Sequence, residues 1–408
     1  MKEQIVISGM GCISAAGLDL AAHNQSLNNE VVNCQMVPDW LFKTNHSYPV
    51  FLCPQKVLTE NGKEFLHSIE MNDENDLGRT AQLIVSATAE AINSAGLSVN
   101  YLRKKRLGVA IGTTVGCAFN NENYYRTYRN GEKSTVKPVI DYLNSNLAHR
   151  LHTLLGTDGP SIVITNACAS GTDAIGVAGA WIASGYCDIA IAGGADELSR
   201  IAYNGFISLQ LTASSPCRPF DKTRQGLNLG EGSGIVILEK EKDAFDRDSV
   251  IGRLRGYGSS SDAWHPTAPH PEGEGVVRAV KLAAVEAGDI NLRFDLINAH
   301  GTATKANDVA ETNALAIILA EQDGVPIIST KGITGHTLGA AGAIEAILTL
   351  LSLKQKKIGG TIGCQNVDPD LKVIPLSQTK KMKLTGKVGL SQSLAFGGGN
   401  SALIVEAI

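Results

Sequence analysis

The two halves of this chain echo each other, and that constrains its fold more than any other feature. Residues Ile162-Val-Ile-Thr-Asn-Ala-Cys168 read as four strand-forming positions running into a short turn, followed by a helix rich in small residues from Thr172 to Ser184. The plan returns in Ile327-Ile-Ser-Thr-Lys-Gly-Ile-Thr-Gly-His336 and the following Thr337-Leu-Gly-Ala-Ala-Gly-Ala-Ile-Glu345. Leu107-Gly-Val-Ala-Ile-Gly112 corresponds to Phe294-Asp-Leu-Ile-Asn-Ala-His300, and the strand Ile189–Gly194 corresponds to Val388–Gly399, both ending in glycines. Strands alternating with helices predict an α/β protein with mostly parallel sheets covered by helices. The expected organisation is two similar halves related by a pseudo-dyad, residues 1–240 and 250–408. The stretch Lys240-Glu-Lys-Asp-Ala-Phe-Asp-Arg-Asp248 between them reads as a solvated surface turn.

At 408 residues the chain is long enough for two core-bearing units. Aromatic residues make up only 5%, so the core must be built from Ala, Ile, Leu, Val and Gly, with helices and strands packed closely. A net charge of −4 gives no case for nucleic acid or an anionic membrane surface. Eight cysteines are scattered without a Cys-x-x-Cys pair, which argues against a zinc ribbon or a disulfide scaffold and suits a reducing compartment. Glu3 and Gly9 interrupt what a signal peptide would need as its apolar core, and no apolar run reaches the roughly 18–20 residues of a membrane span. The expectation is a soluble, cytoplasmic protein.

Chemistry concentrates at a few turns. Cys168 would stand on a strand-to-helix elbow at the positive end of a helix, where backbone N–H groups favour an anion. Its thiol is therefore expected to ionise more readily than a free one and to act as a nucleophile in acyl transfer. From this segment alone, a small buried core cysteine is an equally good reading. The second half supplies Asn298-Ala-His-Gly-Thr-Ala-Thr304, Ser329-Thr-Lys331, Thr334-Gly-His336-Thr-Leu-Gly-Ala-Ala-Gly342 and Leu394-Ala-Phe396-Gly-Gly-Gly-Asn400. A lone histidine at a strand end is more often structural. Two of them in glycine-framed loops at corresponding strand ends point to one site, because open α/β sheets gather ligands at the carboxyl ends of strands. A dinucleotide-binding reading of Gly9-Met-Gly-Cys-Ile-Ser14 fails for want of the third glycine.

In this order, the motifs resemble those of the β-ketoacyl-acyl-carrier-protein synthases, the condensing enzymes of the thiolase-like fold. The likeness spans essentially the whole chain, including Arg218-Pro-Phe-Asp-Lys222 and Gly230-Glu-Gly-Ser-Gly234. It implies a layered α/β/α/β/α architecture and a decarboxylative Claisen condensation of an acyl thioester with a malonyl-loaded acyl carrier protein, with no metal or redox cofactor. By resemblance Cys168 accepts the acyl group, the backbone N–H groups of Cys168 and Phe396 form an oxyanion hole, and His300 and His336 hold the enolate oxygen. Lys331 and Glu311 match a pair that orients His300, and Thr302 and Thr304 match threonines that bind the pantetheine arm. Phe396 matches a gate and Asp262 a loop facing it, while Phe206, Gly397 and Gly398 are implied to line the substrate path. Glu345 and Asn298 are offered as lining for a monovalent-cation site typical of the family. The implied partners are the loaded carrier protein and a second subunit, in a homodimer or in a heterodimer with a homologous synthase-like chain.

Some positions depart from the pattern. Leu394 stands where a second aromatic is usual, with Gln392 and Ala395 where Asn and Gly are common. Cys117-Ala-Phe-Asn-Asn-Glu122, expected to line the acyl pocket, is polar for a saturated chain. Asp173 is more similar to the polyketide-type synthases, and Glu70-Met-Asn-Asp-Glu-Asn-Asp76 is acidic where bases commonly meet an acidic carrier. Arg103-Lys-Lys-Arg106 with Arg126, Arg129 and Lys133 are alternative docking residues. These features lean towards a specialised polyketide or aryl-polyene-like pathway. The competing readings are a non-catalytic chain-length partner subunit, disfavoured by Cys168 with both histidines, and a thiolase acting on coenzyme A esters. The latter is disfavoured by the lack of a second cysteine near Phe396–Asn400.

Overall fold

The echoed segments become matching strands. A computed structural model of the chain describes residues 3–29, 31–69, 77–116, 121–144, 146–244 and 250–408. In chain order its strands are β1 (Ile5–Ser14), β2 (Cys34–Gln35), β3 (Val50–Phe51), β4 (Leu107–Gly112), β5 (Ser161–Ile164), β6 (Ile189–Asp196) and β7 (Gly232–Lys240). They continue with β8 (Gly252–Ser261), β9 (Leu296–Asn298), β10 (Ile327–Ile328), β11 (Lys357–Gly359), β12 (Lys381–Lys383), β13 (Val388–Leu394) and β14 (Gly399–Ala407). One hydrogen-bonded sheet runs β10-β9-β13-β14-β8-β1-β7-β6-β4-β5, while β2–β3 and β11–β12 form separate pairs.

The sheet order is its own mirror. The run β5-β4-β6-β7-β1 is matched strand for strand by β10-β9-β13-β14-β8. The two runs meet where β1 pairs briefly with β8, Ile5 opposite Leu254 and Ile7 opposite Gly252. Pairing is parallel between β4 and its neighbours and between β9 and its neighbours, and antiparallel through β7, β1, β8 and β14. The expectation of mostly parallel sheets is therefore corrected to a mixed sheet. A parallel return needs a crossover along the sheet, whereas the Leu394–Gly399 connection stays at one end and turns the chain straight back.

Helices pack in the expected layers. The helices Ser170–Ala183 and Ala341–Gln355 lie against each other and touch strands of both runs, so they form the middle layer. Arg79–Ser94 covers β1 and β7 on one outer face, and Glu274–Glu286 covers β8 and β14 on the other. Gly9 and Gly11 of β1 permit the first of these approaches: a Cβ at either would sit 2.2 or 2.0 Å from the carbonyl oxygens of Ala91 and Ala87. Residues 338–355 are long and apolar enough to cross a membrane by length and composition, contrary to the reading that no segment is, but 83% of that window is buried in the middle layer. The acidic run Glu70–Asp76, Cys117–Asn120 of the expected acyl-pocket segment, and residues 245–249 of the charged stretch lie outside the described residues.

Candidate active site

The two elbows are built alike. Ala167 at φ 44° and Leu338 at φ 54° each open a 3-10 turn that leads into a middle-layer helix. A positive φ is strained for a residue carrying a Cβ and persists only where its surroundings over-determine it. At the second elbow Asp196, at the end of β6, accepts from Gly339 N–H (2.7 Å) and from Thr113 Oγ1 (2.6 Å). His336 sits two residues before Leu338, its N–H bound to Asn228 O (2.8 Å) and its carbonyl to Gly230 N–H (2.9 Å).

The carboxyl ends of β5, β9, β10 and β13 bring the predicted residues together. His336 Nε2 lies 3.0 Å from Cys168 Sγ, and the His300 and His336 rings stand edge to face with centroids 5.2 Å apart. All three side chains are buried. Lys331, also buried, donates from Nζ to His300 Nδ1 (3.1 Å), to His300 O (2.6 Å) and to Glu345 Oε1. An ammonium has only hydrogens to offer, so Nδ1 of His300 must be the acceptor and its proton sits on Nε2.

The predicted pairing of Lys331 with Glu311 is therefore corrected. Lys331 pairs with Glu345, and Glu311 instead accepts from the backbone N–H groups of His300 (2.6 Å) and Gly301 (2.7 Å), shaping the turn that carries His300. Glu345 was legible as unusual, being the one charged residue in the buried stretch Ala341–Leu353, and a buried charge needs a partner. Asn298 Oδ1 and Glu345 Oε2, the oxygens offered as lining for a monovalent-cation site, are both buried without a hydrogen-bond partner.

Electrostatics depart from the sequence reading at Cys168. Burial pushes its thiol up to about 12, outweighing the pull of Lys331 and of the Phe396 N–H aimed at the sulfur. The expectation of ready ionisation is corrected, because a thiol this enclosed is held neutral. Burial, reinforced by Lys331, keeps both His300 and His336 well below the usual imidazole range, so both rings are neutral. Burial likewise lifts Glu311 and Glu345 to about 7. Cys168, His300 and His336 present ligand atoms within 4.8 Å of one another and resemble a metal trio. The Lys331 ammonium opposes that use, since it leaves a proton rather than a lone pair on His300 Nε2.

A cavity of about 320 Å³ leads to these groups and is lined by Thr302, Thr304, Asp262, Phe206, Leu394 and Phe396 among others. Thr302 and Thr304 share a hydrogen bond of 2.9 Å. Phe206 stacks on Phe396 (5.3 Å, 23°) and meets the His336 ring edge-on at 6.3 Å. Gly397 and Gly398 both adopt left-handed backbone, φ 85° and 82°, which turns the chain back beneath Phe396. Asp262 ties the facing loop to this turn through Asn400 Nδ2 (2.9 Å) and through its own N–H to Gly398 O (2.8 Å). Of the suggested docking bases, Arg106 pairs with Asp188 (2.6 Å) and Arg126 with Glu122 (3.1 Å).

The chain matches the family models described as Beta-ketoacyl synthase, N-terminal domain, over residues 2–244, and Beta-ketoacyl synthase, C-terminal domain, over residues 251–365. It is 34% identical over 415 residues, 98% of this chain and 97% of the relative, to 3-oxoacyl-[acyl-carrier-protein] synthase 2 of Synechocystis sp.. The ishigamide ketosynthase/chain length factor structure superposes with a TM-score of 0.88 at 29% identity, covering 100% of both chains. A type II polyketide ketosynthase, bound to a hexaketide and in complex with its acyl-carrier protein, gives a TM-score of 0.87 at 25% identity, again covering 100% of both chains. With the fold, the motifs and these matches in agreement, the chain belongs to the β-ketoacyl synthase family.

Proposed function

We propose that the protein is a β-ketoacyl-[acyl-carrier-protein] synthase that elongates an acyl chain by decarboxylative condensation with a malonyl-loaded carrier. The observation that carries this reading is the contact of Cys168 Sγ with His336 Nε2 at 3.0 Å, beside a second histidine whose Nε2 hydrogen is fixed by Lys331. The neutral thiol gives its proton to His336 as the sulfur attacks the acyl thioester, and His336 returns that proton to the departing pantetheine sulfur. The oxygen of the tetrahedral adduct is held by the N–H groups of Cys168 and Phe396. The malonyl thioester then loses carbon dioxide, and its enolate oxygen accepts from His300 Nε2–H, with His336 alongside. The enolate carbon attacks the acyl-Cys168 carbonyl, forms the new C–C bond and expels the Cys168 thiolate, which takes one proton from solvent.

In this reading residues 1–240 supply the nucleophile and residues 250–408 the two histidines. Thr302 and Thr304, partly or fully buried, line the cavity, which supports reading them as the residues that hold the pantetheine arm. The partner is an acyl carrier protein, and a homologous synthase-like chain is the second subunit. Support comes from the polyketide ketosynthase that carries its acyl-carrier protein and from the ketosynthase/chain length factor structure. The same likenesses and Asp173 favour a specialised polyketide-type pathway over housekeeping fatty-acid synthesis. All seven described cysteines are free, which fits a cytoplasmic setting. The test is to mix the protein with acyl- and malonyl-loaded carrier and weigh the carrier. A β-ketoacyl carrier two carbons longer, absent with Cys168→Ala, is expected. A thioester hydrolysed without chain extension would sink the proposal.

A further inference from the structure

The cysteine elbow is held from outside by a carboxylate that plays no part in the steps above. Asp173 lies in the first turn of the helix Ser170–Ala183 and is only 6% exposed. One of its oxygens accepts from Asn166 Nδ2 at 2.7 Å. The other accepts from the Tyr257 hydroxyl at 2.9 Å and from the Ser401 hydroxyl. All three donors are neutral, so this carboxylate is satisfied by geometry rather than by a counter-charge.

Each donor belongs to a different part of the site. Asn166 stands two residues before Cys168, with the strained Ala167 between them. Among the described residues its backbone bonds are local to the elbow, N–H to Ser170 Oγ (2.8 Å) and carbonyl to Ala169 N–H (3.0 Å). Its side chain also fills the space beside Gly399, where an added Cβ would come within 2.8 Å of Asn166 Oδ1. Ser401 follows directly on the Phe396–Asn400 loop. Tyr257 is on β8, the strand that runs on to Asp262 and the loop facing Phe396. The Tyr257 ring lies against Gly176, where a Cβ would sit 2.2 Å from the ring, so that glycine makes room for the hydroxyl to reach Asp173. Burial and the neighbouring carboxylate lift the Tyr257 hydroxyl far above its usual range, so it remains a donor at any physiological pH.

We propose that Asp173 is a positioning residue which clamps the cysteine elbow to the gate strand, keeping the N–H groups of Cys168 and Phe396 aligned as one oxyanion pocket. This rests on the reading of Cys168 as the acyl acceptor. An oxyanion pocket works only when both donors meet the same developing charge at about 2.7–3.1 Å, and losing one donor slows such reactions by about 10²–10³. A clamp that lets one of them drift should give part of that loss.

Two reactions of the same sulfur separate this role from a general loosening. Acyl transfer from a carrier thioester needs the oxyanion pocket, whereas alkylation by iodoacetamide, a displacement at carbon, does not. Both rates are measured at one pH in wild type, in Asp173→Leu, and in the double variant Tyr257→Phe/Ser401→Ala. The double variant leaves the carboxylate and its Asn166 contact in place, so it decides the matter should Asp173→Leu fail to fold. The ratio of acylation to alkylation is expected to fall by about tenfold to a hundredfold in Asp173→Leu and in the same direction in the double variant. A ratio unchanged from wild type, whether both rates drop together or neither does, overturns the proposal. Failure of the wild type to be acylated at Cys168 would instead overturn the functional reading beneath it.

Discussion

Replacing Lys331 with Met probes the charge arrangement that sets the state of His300. The ammonium is 1% exposed and serves three acceptors at once: His300 Nδ1 at 3.1 Å, His300 O at 2.6 Å and Glu345 Oε1. Methionine keeps the reach of the side chain and removes every donor. Breaking a buried ion pair by deleting one partner costs about 3–5 kcal/mol. Glu345, already at about 7 beside the ammonium, will take up a proton once it is gone, so the loss should sit near the lower end, about 3 kcal/mol. The chemical effect is more selective. With no donor at Nδ1 the His300 proton is free to move there, and the ring also loses one of the influences holding its pKa down. Malonyl decarboxylation, followed as carbon dioxide release in a single turnover, should fall by about 10²–10³, the scale of losing one oxyanion donor. Acylation of Cys168 should fall far less, and nitrogen-15 NMR of the histidines should find His300 titrating at higher pH. A Lys331→Met enzyme that decarboxylates at the wild-type rate with His300 unshifted would refute the reasoning.

Further outcomes follow from the same geometry. Because burial lifts the Cys168 thiol to about 12, its alkylation rate in the free enzyme should climb with pH beyond 9, and a plateau below pH 8 would show an ionised resting thiol. His23 is buried between Ser14 Oγ (2.8 Å) and Asp19 O (2.7 Å), and burial lowers it from 6.5 to about 4. The unfolded chain binds that proton below about pH 6.5 and the folded chain does not, so this contribution is present above 6.5 and lost as pH falls towards 4. Wild type should lose about 3 kcal/mol more than His23→Gln between pH 7 and pH 4 in urea titrations, and equal losses would contradict the assignment. His300→Ala should still acylate Cys168, whereas His336→Ala should impair acylation too, because of the two rings it is His336 that meets the sulfur.

Much of the fold was legible because it is local and repeated. The strands β4 and β9, β5 and β10, and β6 and β13 are the segments whose sequences echo, and the residues at their ends meet in one site. What the sequence hid was non-local or environmental. Strand direction in the centre of the sheet depends on where each connection travels, which residue patterns do not record. The partner of Lys331 is fourteen residues away on a buried helix, and Glu345 and Glu311 are equally plausible on charge alone. The neutral state of Cys168 reflects enclosure by residues from both halves, which no reading of one elbow can supply. The Asp173 clamp ties the neighbouring Asn166 to Tyr257 and Ser401, which stand 84 and 228 residues from Asp173.

The central claim is a division of labour, with Cys168 carrying the acyl group, His336 carrying the proton of its thiol, and His300 stabilising the enolate. The most direct measurement uses isotopically labelled malonyl carrier with Cys168→Ala, alone and combined with His300→Ala, counting labelled carbon dioxide and weighing the carrier product. Cys168→Ala is predicted to release carbon dioxide without forming any β-ketoacyl carrier, and the double variant to do neither. Extended product from Cys168→Ala, or undiminished carbon dioxide release from the double variant, would contradict the account.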